Sequence, residues 1–195
     1  MSAVSSVSRL SYDAYLALER SSDLKHEFLD GEVWAMAGGT PPHSRVKTDL
    51  LAAVSFALRG KPCLEYDSDL KVRVEATRLT TYPDLTVICG PMQRSKIDPN
   101  AATNPTLLVE VISPSTESWD TGAKFRHYGR IESLREILYI WPDDRAVQLR
   151  TRNDDGSWLM RDLKPGEPIV LGSIDVVLEQ AQLFGRLDQV EATSV

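Results

Sequence analysis

Cysteine is scarce in this chain of 195 residues: only Cys63 and Cys89 are present, far apart and in no C-x-x-C pattern. That excludes a disulfide-stapled scaffold and makes a small buried hydrophobe the expectation for each thiol, with a reducing, cytoplasmic setting as the default. Long apolar runs are missing too. None approaches the ~18 residues of a membrane helix, and the opening MSAVSSVSRL lacks the apolar stretch of a secretory signal. Positive charge is in deficit, with 22 Lys and Arg against 28 Asp and Glu and a formal net charge of -6. Affinity for nucleic acid comes largely from cations that neutralise phosphates. A nucleic-acid role would therefore need a local basic patch or a metal ion. Aromatics make up only 7%, so the core is expected to be aliphatic. No G-x-x-x-x-G-K-[ST] or G-x-G-x-x-G loop and no G-x-S-x-G elbow occurs. His26, His43 and His127 share no ligand spacing, which argues against zinc.

What remains is ordinary globular composition, 42% hydrophobic and 26% charged, read as one domain over residues 1–195 with residues 1–8 frayed. SYDAYLALER predicts a helix over 11–20 with Ser11 as its N-cap. The Asp-Gly pair in KHEFLDGEVWAMAG predicts a hairpin. Val46, Leu50, Leu51, Val54 and Leu58 recur at helical spacing between Pro42 and Gly60. CLEY, DLKVRVEA, YPDLTVIC, TLLVEVIS and REILYIWP read as strands. In the second, Val72 and Val74 alternate with Lys71 and Arg73, which predicts one wet face. STESWDTGAKFRHYGRIESL reads as a helix with Asp120, Lys124 and Tyr128 at i, i+4, i+8, weakened by Gly122. RAVQLRTR and SWLMRDL form a second hairpin around NDDG. The tail holds a short strand and a helical turn or two. The fold class is α/β (α+β): a central mixed sheet flanked by helices, with N-terminal and C-terminal hairpins.

One residue breaks the apolar pattern. Glu110 sits inside LLVEVIS, where a carboxylate is costly unless paired, protonated or holding a metal. Strand alternation puts Leu108, Glu110 and Ile112 on one face, and Tyr82, Asp84, Thr86 and Ile88 on one face. Pro83 suits a strand start, which sets Asp84 near a strand end. If the two strands are neighbours, Asp84 and Glu110 converge and repel. A divalent cation with oxygen ligands resolves that repulsion. Lys124, on the following helix, is the candidate to orient or deprotonate a water or to stabilise negative charge.

Pro83–Asp84, then EVISPST from Glu110, then WDTGAKFRHY through Lys124 and Tyr128 resemble the Uma-two family of putative restriction endonucleases. KHEFLDGEVWAMAGGTPPHSRV, NPTLLVEV and LYIWPDD fit the same pattern, so the resemblance runs over roughly residues 10 to 185. That family lies in the PD-(D/E)XK nuclease class. The resemblance implies a restriction-endonuclease-like fold and hydrolysis of DNA phosphodiesters with Mg²⁺ or Mn²⁺. It implies Asp84 and Glu110 as metal ligands and Lys124 as the catalytic lysine. Glu27 is a further acidic candidate, and His43 and Tyr128 match positions that line the cleft. One departure stands out: the class usually places its lysine two residues after the second acid, where this chain has Ile112.

Plainer roles compete at each position. Asp84 is also a turn former, and Glu110 a candidate for a structural pair with Arg73 or Lys71. Lys124 could simply pair with Asp120 at i, i+4. Glu27 reads equally as a solvated charge, His43 as a loop histidine and Tyr128 as a packing ring. KVRV is either a solvated face or a DNA-facing edge. A catalytically inactive relative that binds DNA or a protein partner is the alternative function. Exposed strand edges, with the family tendency, suggest a homodimer; no membrane is implied.

Overall fold

The computed structural model describes residues 9–36 and 38–191; the expected fraying of residues 1–8 lies outside them. Helix α1 (Tyr12–Ser21) begins where Ser11 accepts a hydrogen bond from the Ala14 amide. Strands β1 (His26–Leu29) and β2 (Glu32–Ala35) follow. Their two-residue turn puts Asp30 at φ 49° and Gly31 at φ 94°, the type I′ geometry that Asp-Gly favours. Helix α2 (Pro41–Ala57) is capped by Thr40. Next come β3 (Cys63–Asp67), β4 (Lys71–Val74), β5 (Leu79–Thr81), β6 (Leu85–Cys89), β7 (Ala101–Ala102) and β8 (Leu107–Val111). A π-helical turn (Trp119–Lys124) runs into α3 (Phe125–Tyr128). The chain then forms β9 (Glu136–Trp141), β10 (Ala146–Arg152) and β11 (Trp158–Asp162). It ends in the hairpin β12 (Ile169–Leu171) and β13 (Val176–Leu178), followed by α4 (Gln180–Phe184) and α5 (Leu187–Glu191).

The strands pair into a six-stranded sheet, β11-β10-β9-β8-β6-β3, and a five-stranded sheet, β2-β1-β5-β4-β7. The larger sheet is mixed, as expected: β8 runs parallel to β9 and every other pairing in it is antiparallel. Its two faces are buried differently. Leu85, Val87, Leu107, Val109 and Val111 pack against α2 and the C-terminal elements in an almost wholly aliphatic cluster. Leu108, Ile112, Ile137 and Tyr139 pack on the other face against Val72, Val74, Leu79 and Tyr128. A strand buried on both sides reads as a continuous apolar run, which is how LLVEV appears apart from its glutamate.

Four expectations are overturned. Cys63 and Cys89 are joined by a disulfide. They stand directly opposite each other on β3 and β6, flanked by the hydrogen bond from the Gly90 amide to the Pro62 carbonyl. Such a non-hydrogen-bonded antiparallel pair brings side chains closest together, a proximity that sequence separation conceals. The cysteine count therefore no longer argues for a reducing compartment. Secondly, β4 has no wet face. Lys71 is buried against Asp98 at 2.9 Å and Arg73 lies 4.0 Å above the Tyr12 ring. Helix α1 covers that side, and each buried charge has found a partner. Thirdly, residues 115–134 are not one regular helix. Tyr139 donates to the Asp120 carbonyl at 3.2 Å and Arg150 to the Thr121 carbonyl at 2.9 Å. With these carbonyls bonded by side chains, the turn winds as a π-helix and α3 is only four residues long. The tail also forms the β12–β13 hairpin rather than a single short strand. No helix among the described residues is long and apolar enough to cross a membrane.

Candidate active site

The register of β6 against β8 places Leu85 opposite Val109 and Thr86 opposite Leu108. Continued by one residue, it sets Asp84 across from Glu110. The two strands are neighbours, as the convergence of the acids requires. Asp84 ends this ladder by accepting the Val111 amide at 2.7 Å. Helix α2 reaches it from the side: Lys47 Nζ is 2.8 Å from its Oδ1, and His43 Nε2 is 3.7 Å from its Oδ2. His43 is therefore a residue of the first helical turn beside Asp84, not of a loop.

Glu110 is buried and pairs with neither Arg73 nor Lys71. Its Oε1 is 3.0 Å from Lys124 Nζ and accepts a 2.5 Å hydrogen bond from the Tyr128 hydroxyl. Lys124 thus does reach the face that carries Glu110. Its ammonium stands among three carboxylates, 3.0 Å from Glu27, 3.0 Å from Glu110 and 3.1 Å from Asp120. Glu27 is not a solvated charge. It comes in on β1 and accepts hydrogen bonds from the Thr81 hydroxyl and, at 3.2 Å, from Trp119 Nε1. Tyr128 does more than pack, since its hydroxyl fixes Glu110. Ile112 projects into the apolar cluster two residues on, so the lysine comes from the π-helical turn. Turns of that kind recur at functional sites.

Burial and charge separate the ionisation of these groups. Burial pushes Glu110 up to about 8; the negative charges of Asp120 and Asp84 push the same way, against Lys124 and Tyr128. Burial alone would make Lys124 less basic. The charges of Glu110, Tyr128, Glu27 and Asp120 overcome it and hold the amine well above its ordinary range. Glu27 is lowered: burial opposes this, but the Lys124 charge and the bonds from Thr81, Lys124 and Trp119 prevail. Lys124 is accordingly a fixed ammonium, and Glu110 is the acid most ready to hold a proton near neutrality.

The donor set decides which ion would fit. Among the described residues, no three or more His, Cys, Asp or Glu side chains gather so as to hold a metal. Two hard carboxylates whose charges oppose each other do suit Mg²⁺, which usually takes one or two carboxylates and completes its shell with water and phosphate oxygens. Asp84 and Glu110 carry donors of that kind.

Sequence reasoning missed Lys47, Thr81 and Trp119, and took Asp120 only as a helix-surface partner of Lys124. Lys47 carried a signal, since it lies four residues after His43 on one face of α2. Thr81 and Trp119 carried none, because their roles depend on the five-stranded sheet meeting the π-helical turn.

A family model described as a putative restriction endonuclease, Uma2, matches residues 12–178. An uncharacterised protein of Synechocystis sp. is 37% identical over 85% of this chain and 86% of its own length. A second uncharacterised protein of the same organism is 28% identical over 84% of this chain and 92% of its own. The fold is similar to the crystal structure of a putative nuclease belonging to DUF820 from Anabaena variabilis. The TM-score is 0.73 at 16% identity, covering 91% of this chain and 99% of that one.

Proposed function

Since the chain belongs to the Uma2 family of putative restriction endonucleases, we propose that it hydrolyses DNA phosphodiester bonds with Mg²⁺ or Mn²⁺. The observation that carries this reading is the β6–β8 register, which continued by one residue sets Asp84 across from Glu110, with the Lys124 ammonium 3.0 Å from Glu110. Asp84 and Glu110 would hold the ion. When bound, it would polarise the phosphate and ease deprotonation of a water.

The remaining work falls to the protein's own groups. Lys124 is not the base, because its amine stays protonated; its role is to stabilise negative charge developing on the phosphate. Glu27 and Asp120 orient that ammonium, while Tyr128 orients the Glu110 carboxylate. Lys47 and the Val111 amide orient Asp84. His43 lines the same side of the cleft. A cation at the site also offsets the chain's net charge of -6, which would otherwise repel DNA. A second copy of the chain would set two such sites on one duplex.

The test is cleavage of plasmid and oligonucleotide DNA with Mg²⁺ or Mn²⁺. Asp84→Ala and Glu110→Ala should each lose cleavage by at least about a hundredfold, the scale of a lost electrostatic contact at a reacting centre. Equal cleavage by wild type and both variants would assign the activity elsewhere.

One observation favours a second reading, a catalytically inactive protein that binds DNA or a protein partner. The Lys124 ammonium already lies within 3.1 Å of the Glu27, Glu110 and Asp120 carboxyl groups, so each has a cationic partner without a metal. Failure to bind Mg²⁺ or Mn²⁺ in the millimolar range at neutral pH would select it.

A further inference from the structure

Four tryptophans are present in the chain, and two of them meet beside the carboxylate cluster. Trp34 stands directly opposite Glu27 in the β1–β2 register, and directly opposed residues share a face of the sheet. Trp34 therefore projects on the side where Glu27 meets Lys124. Its ring centroid is 5.7 Å from that of Trp119, which is 6.2 Å from His127. The Trp119 indole is held in place by its hydrogen bond to Glu27. Trp119, the middle ring, touches the candidate active site, and Trp34 is the ring exposed to solvent. Trp119 packs on the apolar cluster beneath it, but Trp34 belongs to neither core cluster and is 40% exposed. Burial and the charge of Arg126 lower the His127 pKa and so favour its uncharged ring. Arg126 itself is exposed and suits a phosphate.

We propose that Trp34, Trp119 and His127 form a stacking shelf for an unpaired base next to the phosphate that is cut. The preferred substrate would then be DNA with single-stranded or splayed bases at the site, rather than an intact duplex. In a duplex the base faces cover one another, and only an unstacked base can lie on an aromatic ring. Stacking also supplies affinity without cations, which suits an acidic chain. The inference rests on the nuclease reading for the phosphate chemistry beside the shelf.

The experiment keeps binding apart from cleavage. Short single-stranded DNA, its blunt duplex and the matching RNA are titrated in EDTA, following tryptophan emission and fluorescence anisotropy. Single-stranded DNA should quench the emission and bind more tightly than the duplex. Trp34→Ala should weaken that binding about tenfold, the scale of one lost base–aromatic stack, and Trp34→Phe should restore most of it. Equal binding of duplex and single strand, or unaltered single-strand binding by Trp34→Ala, would overturn the proposal. Tighter binding of RNA would overturn the assignment to DNA. Should Trp34→Ala fail to fold, Trp34→Phe and the wild-type comparison of single strand with duplex decide. Metal-dependent cleavage without quenching ends the shelf and leaves the nuclease reading standing. Quenching without cleavage ends the nuclease reading alone.

Discussion

Burial raises the pKa of Glu110, so a metal that takes its carboxylate competes with a proton. Its folded value is raised from 4.5 to about 8, first by burial. An acid raised in the folded state keeps its proton at pH values where the unfolded chain has released it. Its contribution to stability is therefore favourable at low pH and falls as pH rises from about 4.5 to about 8. A divalent ion reverses the preference by stabilising the carboxylate. Apparent Mn²⁺ affinity should thus rise about tenfold per pH unit between pH 6 and pH 8 and level off above, with about one proton released per ion bound. Calorimetric titrations in buffers of different ionisation enthalpy check this; affinity independent of pH would contradict it. The charge of Glu110 in an apolar run was legible from sequence alone, because a lone carboxylate in such a run is rare. Its partners were not. Asp120 and Lys124 could be paired from their spacing, but only the folded chain shows Glu27 and Tyr128 closing on the same ammonium and carboxylate.

At the scale of elements, the π-helical turn and not β8 brings a lysine to Glu110; in the proposed site it takes the place of the class's strand lysine. Strand β8 carries Glu110 toward the five-stranded sheet, and two residues later Ile112 points into the same apolar cluster. A lysine there would be buried among Val72, Val74 and Leu79 rather than placed at the site. Ile112→Lys, alone or with Lys124→Ala, should therefore destabilise the fold by about 3 kcal/mol or more and restore no cleavage. Urea denaturation and the plasmid assay check both halves; a stable, active Ile112→Lys/Lys124→Ala protein would contradict the assignment. The elements set by local chemistry were readable in advance: Ser11 capping α1, Asp30–Gly31 turning β1 into β2, Gly60 after α2. The elements shaped by distant donors were not. The π-helical turn depends on Tyr139 and Arg150 bonding its carbonyls, and β4 depends on α1 covering Lys71 and Arg73.

Over the whole molecule, two sheets meet at the candidate site from different directions. The six-stranded sheet supplies Asp84 and Glu110 from adjacent strands. The five-stranded sheet delivers Glu27, and the connection after β8 supplies Asp120 and Lys124. A disulfide ties the edge strand β3 to β6, whose opposite end borders Asp84. The mixed sheet with flanking helices followed from the order of apolar patterns. The second sheet did not, because β5 and β7 are only three and two residues long, too short to leave a period. In the proposed site Asp84 and Glu110 share a divalent ion while Lys124 stays an ammonium beside them. A crystal grown with Mn²⁺, measured for anomalous scattering, tests it most directly. One peak is expected in contact with both the Asp84 and Glu110 carboxylates, with Lys124 still bonded to Glu27 and Asp120. No peak at millimolar Mn²⁺, with Lys124 still joining Glu27, Glu110 and Asp120, would contradict it.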